Sequence, residues 1–167
     1  MNAQIRAGFL LLLLCGATAH AGEDEGDAPK YQALKARSAA PKDADINPAV
    51  TLGALLSQSG EKDWSTDRAA RIEGYVIQVE LEPDGDVHLV LAGAAHEPDT
   101  RKWVVTEVPK AVRDRSKSLS VSALRKLVGR QVHVTGWMYW EPDDDSQDPR
   151  GTRWELHPVT SVMPTGS

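Results

Sequence analysis

Five segments of this chain alternate apolar and polar side chains with a period of two, the pattern of a half-buried β-strand. A helix is predicted between the third and fourth of them, because Ser120 to Val128 groups its apolar residues on one side and ends before a glycine. The five extended segments are 71–81, 86–93, 102–108, 131–140 and 152–162. An order of three strands, one helix and two strands is compatible with few small folds.

This order matches that of the OB-fold, a five-stranded Greek-key barrel with a helix between its third and fourth strands. We therefore predict a mainly β fold, a small OB-like barrel at residues 51–163 that includes a short N-terminal helix from Thr51 to Gly60. Pro83 to Gly85 predicts a tight turn that joins the first two strands as a hairpin. Gly74 lies inside the long first strand, where a barrel strand has to bend. An open five-stranded α+β sheet and a small sandwich are the alternatives.

The first residues have the composition of a secretory signal peptide. Residues 1–21 carry one basic residue, an apolar run and small residues that suit cleavage after Ala21. The apolar run is too short to remain as an anchor, so we expect a periplasmic or secreted protein without a transmembrane segment after cleavage. A lipoprotein signal at Cys15 is the alternative, which the preceding Leu14 disfavours. Residues 22–50 are predicted to form a flexible leader, because they show no sustained apolar period.

Cysteine content and charge limit the chemistry that is available. Cys15 is the only cysteine, and it would leave with the signal peptide. The exported protein would then lack disulfides and thiolate ligands, so its stability would depend on a packed core. The formal net charge of the chain is −5 at pH 7, which disfavours general binding of nucleic acids. We therefore do not expect nucleic acid as a partner, although residues 101–130 are locally basic.

Alternation also predicts which polar and aromatic side chains point away from the barrel interior. These candidate binding residues are His88, Glu107, Trp137, Tyr139, Glu155 and His157. The facing of the third strand is ambiguous, since Val104 and Val108 compete with Trp103 and Val105 for the core, and Glu107 points outward if the first pair faces inward. If the first strand lies between the second and the fifth, the backbones of His88 and His157 are roughly 10 Å apart. Gly74 would then leave room for the two imidazoles to approach each other.

Two interpretations compete for these residues. Trp137 and Tyr139 could stack on bases or sugar rings, or they could pack beneath the leader or the N-terminal helix. His88, Glu107 and His157 could bind a metal ion or perform acid–base chemistry, or each histidine could satisfy a local hydrogen bond. No HxH or HExxH spacing occurs, so the sequence assigns no metal site and no cofactor.

The last two strands also carry a recurrent motif, a Gly-Trp pair followed after a polar loop by Trp-Glu-Leu-His-Pro-Val. This arrangement resembles a family of uncharacterised exported bacterial proteins that end in Trp-Glu-(Ile/Leu)-His-Pro-Val. The matching positions are Asp86, His88, Glu107, Gly136, Trp137 and residues 154–159. The resemblance covers residues 51–162 and implies an OB-like domain without an established activity. Similar proteins carry a histidine shortly after the Gly-Trp strand, and this chain has none before its acidic loop.

The sequence favours an exported, non-enzymatic module that binds an unknown ligand or partner protein. The alternative is a metal-dependent hydrolase of nuclease-like type, centred on His88, Glu107 and His157. The hydrolase hypothesis requires those three side chains to converge, whereas an aromatic binding surface requires Trp137 and Tyr139 to be exposed. No sequence feature identifies a cofactor or an oligomeric state.

Overall fold

The computed structural model describes residues 29–142 and 150–166 and contains one closed β-barrel. The strands are β1 (Ala69–Leu81), β2 (Val87–Ala92), β3 (Val104–Val108), β4 (Gln131–Trp140) and β5 (Trp154–Pro164). The α-helices are α1 (Pro29–Lys35), α2 (Leu52–Ser57), α3 (Lys110–Arg113) and α4 (Val121–Arg125). Three short 3-10 helices cover Asp43–Asp45, Thr100–Lys102 and Lys117–Leu119.

The strands follow the order β1-β2-β3-β5-β4 around the barrel, and β4 pairs with β1 to complete it. All neighbouring pairs are antiparallel except β3 and β5, which run parallel with Thr106 opposite Leu156. Helix α4 lies between β3 and β4 in the chain. The predicted mainly β, OB-like barrel is confirmed, and the open sheet and the sandwich are excluded because the sheet closes on itself.

The prediction that the first strand lies between the second and the fifth is wrong. Strand β1 lies between β2 and β4, because β5 pairs with β3 instead. Gly74 is therefore opposite Val132 rather than between the two histidines. A Cβ atom at Gly74 would lie 2.8 Å from Cδ1 of Leu52, so the glycine allows α2 to pack closely on the barrel.

Apolar side chains fill the barrel from every strand. Residues such as Ile72, Leu89, Val134 and Met138 have no exposed surface. The outer side of β3 is covered as well, since Val104, Val105, Thr106 and Val108 are all fully buried. Burial on both sides explains why alternation alone leaves the facing of this strand ambiguous.

The two predicted helices of the domain form where their capping residues lie. The Thr51 hydroxyl accepts a hydrogen bond from the amide of Ala54 at 3.1 Å, and Ser120 caps the amide of Ala123 at 3.3 Å. Both helices are shorter than predicted, since α2 ends at Ser57 and α4 at Arg125. Helix α2 contributes Leu52 and Leu55 to the core and α4 contributes Leu124, which is the packing that holds such short helices.

Part of the segment predicted to be a flexible leader lies against the barrel. Helix α1 places Tyr31 in the core cluster. The guanidinium of Arg37 donates hydrogen bonds to the carbonyls of Thr66, Met138 and His157 at 2.8, 2.9 and 3.2 Å. Two side chains, Tyr31 and Arg37, make these contacts. The amino-acid composition of the whole segment therefore does not reveal that it packs on the barrel.

The predicted signal peptide, residues 1–21, lies outside the described residues. Within the described part of the chain, no helix combines the length and the apolar character that a membrane crossing requires.

Candidate functional site

Strand β3 lies between β2 and β5 and therefore places Glu107 between two histidines. His88 is directly opposite Glu107 in the β2–β3 register, and His157 follows Leu156, the residue of β5 that pairs with Thr106. The His157 Nε2 atom lies 3.2 Å from Glu107 Oε1, and His88 Nε2 lies 3.7 Å from Glu107 Oε2. The three side chains therefore converge, and Glu107 occupies the place that the sequence had suggested for Gly74.

Asp86 completes a four-residue group that we call the polar cluster: Asp86, His88, Glu107 and His157. One possible ligand atom each from Asp86, Glu107 and His157 lies within 4.8 Å of the other two. An Asp86 carboxylate oxygen accepts a hydrogen bond at 2.6 Å from the amide of Lys110, the first residue of α3. Sequence reasoning missed Asp86 as a site residue, although its position two residues before His88 predicts the same side of the strand.

The cluster shifts the acidity of its two carboxyl groups in opposite directions. Burial acts to raise the pKa of Glu107, but hydrogen bonds from His157 and His88 hold it well below its usual range. Burial raises the pKa of Asp86, and contact with Glu107 adds to this, while the Lys110 amide opposes it. Glu107 is therefore the carboxyl group that stays ionised, and Asp86 is the one that takes up a proton more readily.

Glu155 adds a further buried acid beside the cluster. Alternation predicted that Glu155 points away from the barrel interior, yet only 3% of its surface is exposed, and it forms an ion pair with Arg150. Burial raises the pKa of Glu155 to about 7 in spite of Arg150, and repulsion from Glu107 and Glu141 contributes.

The His157 side chain is held in an enclosed position. The residue is 3% exposed, and its ring lies against Tyr139 with 5.5 Å between the ring centroids. Its Nδ1 atom is buried and has no hydrogen-bond partner among the described residues. Most buried polar atoms in folded proteins have such a partner, so hydrogen bonding within the barrel does not fully account for a histidine here.

The expectation that Tyr139 lies on an exposed aromatic surface is wrong. Tyr139 is completely buried, and the edge of its ring meets Tyr31 of α1 at a centroid distance of 6.3 Å. Trp137 is partly covered, because its indole nitrogen donates to the carbonyl of Ala39 at 2.8 Å and Arg37 lies 5.4 Å from its ring. These two aromatic residues are the surface on which α1 and the following residues pack, which was the other interpretation of the sequence.

Neither a family model nor a curated protein sequence matches this chain. Among solved structures, the chain is similar to a protein assigned as an aspartyl-tRNA synthetase from Leishmania major Friedlin, with 12% identity and a TM-score of 0.45. That match covers 78% of this chain and 22% of the other. A second similar structure is the aspartyl tRNA synthetase from Entamoeba histolytica, with 14% identity, a TM-score of 0.40, and coverage of 76% and 26%. The chain thus spans about a quarter of the length of these proteins, and the matches lend no support to the expectation that nucleic acid is not a partner.

Proposed function

We propose that this protein is an exported OB-like binding module whose ligand site is the polar cluster. The observation that carries the proposal is the convergence of His88, Glu107 and His157 from three different strands. Burying ionisable groups costs free energy, and a fold that needed only a stable barrel could place apolar residues at these positions. Clusters of ionisable groups with shifted pKa values are typical of functional sites.

The exposure of the three side chains supports a site that is open at one end. The side chain of His157 is 4% exposed, that of Glu107 is 13% exposed, and that of His88 is 22% exposed. A small ligand can therefore approach from the His88 side and reach Glu107, while His157 forms the floor. The buried Tyr139 then has a supporting role rather than a ligand-binding one.

A ligand panel tests the proposal directly. The exported form of the chain is titrated with divalent cations, inorganic phosphate and short single-stranded DNA while its melting temperature is measured. We expect at least one of these classes to raise the melting temperature of the wild type, and we expect His157→Gln and His88→Gln to lose the increase. His133→Gln is a matched control, since His133 forms a similar pair with Glu73 elsewhere on the barrel.

The proposal is overturned if no class raises the melting temperature, or if the increase survives in His88→Gln. The second variant keeps the test valid should His157→Gln not fold, because the His88 side chain is more exposed.

Export is part of the same proposal, and it rests on the composition of residues 1–21. We expect the full chain, expressed in a bacterium, to be recovered from the periplasmic fraction or the medium with Gly22 as its first residue. Intact mass spectrometry of the purified protein measures this. A protein that stays in the cytoplasm with residues 1–21 attached would contradict it.

A metal-dependent hydrolase is the second candidate function, and the position of Glu107 favours it. A carboxylate next to histidines is a donor set found in catalytic zinc sites, where the bound metal activates a water molecule. If this function is correct, the protein with added Mn²⁺ or Zn²⁺ hydrolyses bis-(p-nitrophenyl) phosphate, and Glu107→Gln loses the activity. Equal rates for the wild type and Glu107→Gln exclude the hydrolase and leave the binding module.

A further inference from the structure

We infer that Asp86, Glu107 and His157 bind a divalent transition-metal ion of the zinc type. This inference rests on the proposed function, because it names the ligand of the same polar cluster. The first argument is geometric: ligand atoms from the three residues lie within 4.8 Å of one another, and the residues come from separate parts of the chain. Ligands bonded to one metal ion at about 2.0–2.2 Å lie at most about 4.4 Å apart, so small side-chain rotations bring the three atoms within reach of one ion.

The second argument concerns charge. Asp86 and Glu107 bring two carboxyl groups together in a partly enclosed place, where two negative charges repel each other strongly. A cation that lies between the two groups relieves this repulsion. A divalent ion neutralises both groups and uses the imidazole of His157 as well, whereas a proton engages only the carboxyl pair.

The chemistry of the donors selects the class of metal. Calcium and magnesium prefer sites made only of oxygen ligands, and Mg²⁺ in addition keeps several waters. An imidazole nitrogen combined with carboxylate oxygens suits zinc and its neighbours in the first transition series, including Mn²⁺ and Fe²⁺. Three protein ligands are also the number found in zinc sites that keep a position for an external ligand. The inferred site is therefore suited to binding a further molecule.

The residues around the three ligands hold them in place. The amide of Lys110 donates to Asp86 at 2.6 Å, and His88 contacts the second oxygen of Glu107 at 3.7 Å. The carbonyl of His157 accepts a hydrogen bond from Arg37 at 3.2 Å. Such outer contacts orient metal ligands and strengthen binding in known sites.

His157 contacts Glu107 through Nε2, which leaves its Nδ1 atom as the second ring nitrogen to account for. The Nδ1 atom has no hydrogen-bond partner within the described part of the chain, and the residue is almost completely enclosed. A histidine with a merely structural role would ordinarily use both ring nitrogens. By contrast, the exposed pair of His133 and Glu73 belongs to no group of three possible ligands among the described residues.

Calorimetric titration of the metal-free exported protein with Zn²⁺, Mn²⁺, Ca²⁺ and Mg²⁺ tests the inference. We expect one Zn²⁺ or Mn²⁺ ion per chain, bound at least about tenfold more tightly than Ca²⁺ or Mg²⁺. Asp86→Asn, Glu107→Gln and His157→Gln should each weaken binding by about tenfold or more, and His133→Gln should leave it unchanged. Visible absorption of bound Co²⁺ reports directly on whether a nitrogen ligand is lost in His157→Gln.

The outcomes separate this inference from the proposed function. If no divalent ion binds but phosphate or DNA raises the melting temperature through His157 and His88, the metal inference is wrong and the binding module stands. If none of the panel binds, both are wrong. A metal that binds equally well to Asp86→Asn and to the wild type overturns the assigned ligand set.

Discussion

Two histidine–glutamate pairs on this barrel have similar geometry and very different surroundings. His157 and Glu107 lie 3.2 Å apart with side chains 4% and 13% exposed, whereas His133 and Glu73 lie 3.5 Å apart with side chains 39% and 50% exposed. The exposed pair is screened by water and contributes little to stability. The buried pair is largely shielded from water. Its neighbouring groups therefore determine its charge state and the free-energy cost of burying it.

The difference arises from what covers each strand surface. His133 and Glu73 face each other across β4 and β1. The pair on β5 and β3 lies next to the fully buried Tyr139, which in turn lies beneath Tyr31 of α1. The same two residue types therefore make a solvated surface contact in one place and an enclosed ionisable cluster in the other.

The largest expected change in stability comes from removing Tyr139, the buried side chain between Tyr31 of α1 and His157. Tyr139→Ala deletes a fully buried ring between Tyr31 and His157, and we expect the free energy of unfolding to fall by about 3–5 kcal/mol. Tyr139→Phe keeps the ring, so its free energy of unfolding should stay within about 1 kcal/mol of the wild type. Urea denaturation measures both variants. A loss below about 1 kcal/mol for Tyr139→Ala would mean that the ring contributes little to holding α1 against the barrel.

Neutralising the glutamate of each pair should separate the two environments. Glu107→Gln removes the charge that two histidines contact, and we expect the free energy of unfolding to fall by about 1–3 kcal/mol. Glu73→Gln, the matched change in the exposed pair, should stay within about 0.5 kcal/mol of the wild type. The comparison is made by urea denaturation at neutral pH. Equal effects would show that burial does not distinguish the two pairs.

The third expected effect is a pH dependence that Glu155 adds to the buried region. Its pKa is about 7 in the folded protein and 4.5 ordinarily, so between these values the folded state keeps a proton that the unfolded chain releases. Its contribution to stability is complete below about pH 4.5 and is lost as the pH rises through about 7. Glu155→Gln should therefore remove a decline in stability on the order of 1 kcal/mol per pH unit, or about 3 kcal/mol over the whole range.

Urea denaturation at several pH values between about 5 and 8 measures this decline. Glu73→Gln, which neutralises an acid in the exposed pair, should retain the wild-type pH dependence. An unchanged slope in Glu155→Gln would indicate that Arg150 keeps Glu155 ionised throughout this range.

Much of the fold could be predicted from local patterns. Alternation located all five strands, the turn at Pro83 to Gly85 predicted the β1–β2 hairpin, and Thr51 and Ser120 marked the starts of two helices. Residues close together in the chain determine these features. Their backbone dihedral preferences and the spacing of their apolar side chains select a strand, a turn or a helix. The barrel followed from their order.

The candidate site was predicted only in part. His88, Glu107 and His157 were identified because alternation turns them outward, but their arrangement was wrong in the prediction. The parallel pairing of β3 with β5 is a long-range contact, with Thr106 opposite Leu156, and no local pattern specifies it. Asp86 was missed as a site residue because its proximity to His157 depends on the same pairing.

The sequence by itself determined the set of strands and their order along the chain. Only the tertiary structure decided that Glu107 lies between the two histidines, that Tyr31 covers Tyr139, and that Glu155 and His157 are enclosed. The physical reason is that backbone preference and period act within a few residues, whereas burial depends on which distant segment packs on a given surface.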